Sequence, residues 1–163
     1  MTPQELHPHL GELCADDLNI AIVVARFNAH ITEKLWEGAL AAWQACGGDV
    51  SALEIVRVPG AFELPLAAQA LARSKRFDAV VCLGCVIRGD TDHYDYVCDQ
   101  AASGLMRVGL DESLPVIFGV LTTDNLEQAL ERSGGAHGHK GADAIHAAIE
   151  TALLHRSIAG KKG

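Results

Sequence analysis

Asp90, Thr91 and His93 lie close behind an apolar run, Ala79–Ile87, in the segment DAVVCLGCVIRGDTDHYDY over 78–96. Carboxylate, hydroxyl and imidazole are groups that bind anions and move protons. The turn Arg88-Gly89-Asp90-Thr91-Asp92-His93 cannot continue inside an apolar core. A buried parallel strand that stops in this way sets polar groups at the carboxyl edge of a sheet, where open α/β folds bind ligands.

The other predicted strand ends carry groups of related kinds. Arg26-Phe27-Asn28 sets an aromatic ring at a strand tip. Pro59-Gly60-Ala61-Phe62-Glu63 opens a helix with free N–H groups and a carboxylate. The stretch containing Phe118 ends in Thr122-Thr123-Asp124. Aromatic rings beside polar donors suit a flat heterocycle, and a glycine turn entering a helix suits a phosphate. Each feature also has a plain structural reading. A lone Phe such as Phe27 is more often core than a stacking platform. Gly60 serves a tight turn, and Glu63 complements a helix dipole. His93 alone reads equally as a solvated loop residue, and Arg132 as a charge at a helix C-terminus. His137-Gly138-His139 offers two imidazoles without a carboxylate partner, so no metal site is expected there. Cys82 and Cys85 form a C-x-x-C, but residues three apart on a strand point to opposite faces. No second pair completes a zinc site, and both read as core thiols.

The elements that must position these residues follow from periodicity. Asn19–Phe27 reads as a buried strand. Thr32–Cys46 reads as a helix with Leu35, Ala39 and Trp43 on one face, closed by Gly47-Gly48. Val50–Val58 is a second strand, stopped by Pro59-Gly60. Phe62–Arg73 is a helix, Ala79–Ile87 the third strand, and Asp95–Gly109 the next helix. Val116–Leu121 is a fourth strand. Asp124-Asn125-Leu126-Glu127 resembles a capping box with Asp in place of Ser or Thr. Ser133–His139 is a glycine-rich break, and a final helix runs from about Gly141 to Ala159. Alternating strands and helices predict a single-domain, three-layer αβα sandwich: about four parallel strands with helices on both faces. Residues 1–18 are expected as a loose leading segment, 19–159 as the domain, and 160–163 as a loose tail.

The 163-residue length suits one domain, burying roughly two-thirds of its unfolded surface. Hydrophobic residues make up 49% and aromatics 5%, so Ala, Val, Leu and Ile must build the core. The net charge of −8 argues against nucleic acid or an anionic membrane as partner. Met1–Glu5 has neither a cationic start nor an apolar run, and the longest apolar runs are about half a membrane helix. Five cysteines, an odd count, fit reduced thiols. A soluble, cytoplasmic chain is the expectation.

Arg26-Phe27-Asn28, Gly60-Ala61-Phe62-Glu63, Val86 through Tyr96, and Phe118 through Thr123 occur in that order. Glu127-Gln128-Ala129-Leu130-Glu131-Arg132 and Lys140-Gly141 follow. This series resembles the lumazine synthase family, the 6,7-dimethyl-8-ribityllumazine synthases of riboflavin biosynthesis, from about Asn19 to the final helix. The resemblance implies a flavodoxin-like fold. It implies a transferase condensing 5-amino-6-(D-ribitylamino)uracil with 3,4-dihydroxy-2-butanone 4-phosphate, the penultimate step of that pathway, with no metal and no organic cofactor. It assigns Phe27 to stacking on the pyrimidine and Ala61, Phe62 and Glu63 to the ribityl and ring region. Cys85, Val86 and Ile87 line the pyrimidine pocket, and Phe118 closes it. Asp90, Thr91 and Arg132 bind phosphate, His93 transfers protons, and Lys140 stands at the rim. An Asp90 carboxylate aimed inward would repel the phosphate, so backbone N–H groups and the Thr91 hydroxyl are expected to touch it. Arg132 supplies a planar, forked charge that Lys does not copy.

The resemblance further implies a homopentamer with active sites shared between neighbours, Phe118 and Arg132 coming from the subunit beside the one that supplies Phe27 and His93. Some members stack about a dozen pentamers into a sixty-subunit icosahedral shell, in some cases around riboflavin synthase. No insertion interrupts Glu131–Gly141, which favours the shell, whereas Ala136-His137-Gly138-His139-Lys140 departs from the usual Ala-Gly-Asn-Lys pattern. Two other readings stand beside this one. A catalytically silent relative would hold riboflavin or a lumazine, and an unrelated flavodoxin-like domain would bind FMN.

Overall fold

The computed structural model describes residues 13–160. β1 (Ile20–Ala25) is the run IAIVVA with every side chain buried. Such a strand needs cover on both faces, and its alternate residues find it. Ile20, Ile22 and Val24 enter one core cluster, and Ala21, Val23 and Ala25 enter the other. The chain continues as α1 (Ala29–Ala45), a 3-10 turn (Val50–Ala52), β2 (Leu53–Val58) and a second 3-10 turn (Ala61–Glu63). It then forms α2 (Leu64–Arg73), β3 (Ala79–Ile87), α3 (His93–Glu112) and β4 (Val116–Thr123). α4 (Leu126–Arg132), β5 (Ser133–Gly135), β6 (Gly138–His139) and α5 (Lys140–Ile158) complete it.

The main sheet has the order β2-β1-β3-β4, with every pairing parallel. α1 and α5 cover one face through Leu35, Trp43, Ile145 and Ile149. α2 and α3 cover the other through Leu64, Ala68, Ala101 and Leu105. This is the expected three-layer αβα sandwich of flavodoxin-like type. Its strand order reverses between β1 and β3, the position at which such sheets open a crevice.

α1 and α5 approach to backbone contact. A Cβ on Gly141 would lie 2.0 Å from the Leu35 carbonyl oxygen. One on Gly38 would lie 1.9 Å from Cε1 of His139, so the imidazole occupies the space a side chain at 38 would fill. The far end of α5 is fastened by charge. Arg156 donates from Nε and Nη2 to one Asp78 carboxylate oxygen at 3.1 and 2.8 Å. The other Asp78 oxygen accepts the Asn19 N–H at 2.8 Å, tying α5 to the starts of β1 and β3.

Several boundaries differ from the sequence expectation, each for a local reason. β2 starts at Leu53 instead of Val50, because the Asp49 carboxylate accepts the Ser51 N–H at 2.8 Å and winds a 3-10 turn. α3 starts at His93, two residues before the predicted Asp95, so the imidazole belongs to the first helical turn. The α4 cap sits one residue later than proposed. Asn125 accepts the Gln128 N–H, and the Gln128 side chain accepts the Asp124 N–H, both at 2.9 Å. The glycine-rich break at 133–139 is a small antiparallel hairpin of β5 and β6. Residues 1–12 of the expected loose segment lie outside the described residues. In the remainder Ala15 and Leu18 are buried, and the Ala15 N–H reaches the Cys46 carbonyl at 2.9 Å. Of the expected tail only Gly160 is described. No helix among the described residues is long and apolar enough to cross a membrane.

Candidate active site

β1 and β3 are stitched together where the crevice opens. Asn28 adopts a left-handed conformation (φ 59°, ψ 46°), which Asn tolerates better than most residues. This turns its side chain so that Nδ2 donates to the Cys85 carbonyl at 2.9 Å. The preceding residue is pinned from the other side, the Phe27 N–H reaching the Pro59 carbonyl at 2.9 Å. Held at both flanks, the Phe27 ring stands 71% exposed. That is the unusual outcome for a Phe and leaves its face free for stacking.

The next tip, after β2, presents Phe62 at 59% exposure with Ala61 buried beside it. Glu63 folds back on its own turn, its carboxylate accepting the Gly60 N–H at 2.9 Å. The dipole-and-cap reading of Glu63 is therefore part of its role. At the third tip Cys85 is buried, and Val86 and Ile87 are half-buried. Burial pushes the Cys85 thiol up to about 12 and the Cys82 thiol higher still. Neither offers a thiolate nucleophile at neutral pH. They pack in separate clusters on opposite faces of the sheet.

Beyond β3 the chain enters an exposed turn holding Asp90, Thr91 and His93. Among the described residues, the N–H groups of Gly89, Asp90, Thr91 and Asp92 meet no acceptor in the chain. A Cβ on Gly89 would meet nothing within 4 Å, so the turn leaves open space on that side. Unpartnered amides entering a 20-residue helix are a geometry that can receive an anion. The Thr91 hydroxyl accepts weakly from the His93 N–H at 3.5 Å. Phe27, Ala61–Glu63, Cys85–Ile87 and Asp90–His93 thus gather at one carboxyl edge.

Phe118, Arg132 and Lys140 gather elsewhere. Phe118, 45% exposed, lies on β4 level with Cys82, three residues short of the Leu121–Cys85 pairing. At about 3.3 Å per residue that is roughly 10 Å below the level of Cys85. β4 is an edge strand, and beside it Phe118, Arg132 and Lys140 line a concavity of about 400 Å³ that excludes Phe27, Phe62 and His93. Arg132 ends α4 with Nη1 on the Gln128 carbonyl at 3.0 Å and Glu131 at 3.8 Å. Lys140 is held by Asp143 at 2.9 Å. The expected site residues therefore fall into two separate groups on one chain.

Sequence reasoning missed the contacts that Arg88 makes beside the Asp90–His93 turn. Arg88 donates from Nε to Asp124 at 3.0 Å and from Nη1 to Asp95 at 3.4 Å, with its Cζ 4.2 Å from the Tyr94 ring centre. Its only advance signal is a cation directly behind an apolar strand. At 137–139, His137 pairs with Glu131 at 3.2 Å and His139 turns inward to Gly38. No group of three or more His, Cys, Asp or Glu residues that could hold a metal occurs among the described residues.

A model of the family described as 6,7-dimethyl-8-ribityllumazine synthase matches residues 17–156, a span that includes all four strands of the main sheet and both groups of residues. Because the match extends over most of the sequence, from before β1 into α5, the chain belongs to the 6,7-dimethyl-8-ribityllumazine synthase family.

Proposed function

We propose that this chain condenses 5-amino-6-(D-ribitylamino)uracil with 3,4-dihydroxy-2-butanone 4-phosphate, releasing phosphate and water. The observation that carries this reading is the grouping at one crevice of two exposed Phe rings, a turn of unpartnered amides, and His93. Phe27 and Phe62 stack against the pyrimidine and its ribityl arm, above a floor of Cys85, Val86 and Ile87. The amides near Asp90 and the Thr91 hydroxyl take the phosphate, while the Asp90 carboxylate stays turned to solvent. Arg132, Phe118 and the rim residue Lys140 arrive from an adjacent subunit. Their separation from the crevice within one chain supports a shared site.

The uracil's primary amine attacks the ketone, and loss of water gives an imine. Loss of the C3 proton together with the C4 phosphate then gives an enol, which tautomerises to a C3 ketone. The ribitylamino nitrogen attacks this new carbonyl to close the ring with loss of a second water. Amine and ketone are intrinsically reactive, so holding them together supplies most of the rate. His93 shuttles protons during imine formation and ring closure, an effect of roughly 10²–10⁴-fold. Assembly is a homopentamer, stacked into an icosahedral shell that can enclose riboflavin synthase, and the reaction is cytoplasmic.

Incubation with both substrates tests the reaction by the growth of lumazine absorbance and an equal release of phosphate. Folded protein that releases no phosphate yet binds riboflavin or lumazine would replace this reading with that of a silent flavin-binding relative. Light scattering distinguishes pentamer, decamer and shell by mass.

A further inference from the structure

We propose that Arg88 is a positioning residue, which holds the Gly89–His93 turn in its working shape by clamping it between α3 and the β4–α4 corner. This inference rests on the condensation reading for its catalytic consequence, though the clamp itself is a matter of geometry. Within the turn, Gly89, Asp90 and Thr91 lie outside any helix or strand. Its entrance is fixed by the Arg88 N–H on the Thr123 carbonyl at 2.8 Å. Its exit is the first turn of α3, where the Asp95 N–H reaches the Asp92 carbonyl at 3.0 Å.

The Arg88 guanidinium spans both ends. It lies over Tyr94, reaches Asp95 within α3, and reaches Asp124 just beyond β4. Planarity allows one guanidinium to serve both carboxylates and the ring together, which an ammonium cannot do. The partners neutralise Arg88, so its charge is committed within the chain and not offered to a phosphate.

The magnitudes separate positioning from stability. Arg88, Asp95 and Asp124 have half-exposed side chains, and exposed ion pairs contribute little to folding. A catalytic group misplaced by about 1 Å can nevertheless cost up to about 10²-fold in rate. Loss of the clamp should therefore leave the melting temperature nearly unchanged while lowering turnover.

The test uses Arg88→Gln, Asp124→Asn and the double variant in the full-length assembly. Amide hydrogen exchange over 95–97 should quicken by about fivefold in each single variant. Turnover should fall by about tenfold, with KM for the uracil substrate unchanged, and the double variant should be no slower than Arg88→Gln. Arg88→Lys should recover only part of the rate. Unchanged exchange in Arg88→Gln overturns the clamp whether or not the protein makes lumazine. Fully additive rate losses also overturn it, because Arg88 would then act directly on substrate. A wild-type protein that makes no lumazine but shows quickened exchange in the variants sinks the condensation reading and leaves the clamp standing.

Discussion

Phe118 lies level with Cys82 in the β3–β4 register, while the crevice at the strand tips begins at Cys85. The ring that should close the pocket is therefore set back along an edge strand, on the same flank as Arg132. Two copies placed edge to crevice would bring the halves together. Variants with His93→Ala and Arg132→Ala test this. The first should lose between about 10² and 10⁴ in turnover yet remain measurable, and the second should chiefly raise KM for the phosphate substrate. Co-expressed in one assembly, they should exceed the activity of either alone, since some cavities then receive two intact halves. Steady-state kinetics on the mixed assemblies would show no such recovery if each chain held a whole site.

The α1–α5 crossing tolerates no added atoms at Gly141, whose missing Cβ faces the Leu35 carbonyl at 2.0 Å. Gly141→Ala must push the helices apart, at a cost of roughly 1–3 kcal/mol or more. Denaturant unfolding should register this as a lower midpoint. The same change would also shift Lys140 next door, so the KM of the phosphate substrate should rise. An unchanged midpoint would refute the packing argument.

The buried thiols set an alkaline limit. Cys85 is raised from 9.0 to about 12 by burial, and Cys82 is raised by the same cause. Above pH 9 the unfolded chain loses these thiol protons while the folded chain keeps them, so the unfolded state binds fewer protons and stability falls as pH rises. The loss should begin near pH 9 and continue towards pH 12. Cys85→Ala should flatten that slope in chemical denaturation followed against pH, and a slope identical to wild type would refute the assignment.

How legible the chain is depends on the range of the forces involved. β3 is readable to its exact ends because nine consecutive apolar residues, Ala79–Ile87, are bounded by Asp78 and Arg88. The strand-tip residues are readable for the same reason, since a buried strand must stop where polar residues begin. The β5–β6 hairpin is not readable, because three- and two-residue strands carry no periodicity. The α4 cap is ambiguous by one residue because Asp124 and Asn125 both suit the position, and only Gln128 decides between them. The Arg88 brace depends on partners 7 and 36 residues away, and no local pattern announces such pairs. Roles for Phe27, His93 and Arg132 come from family resemblance, because their residue types alone fit plain structural duties equally well.

The imidazole of His139 rests where any side chain at position 38 would have to be. Neither site can therefore drift independently during evolution. A lineage that acquires even a methyl at 38 must first exchange the histidine at 139 for something slimmer, and a lineage keeping the histidine is confined to glycine. The two positions should change in concert across relatives, an inherited bargain between α1 and the β5–β6 hairpin.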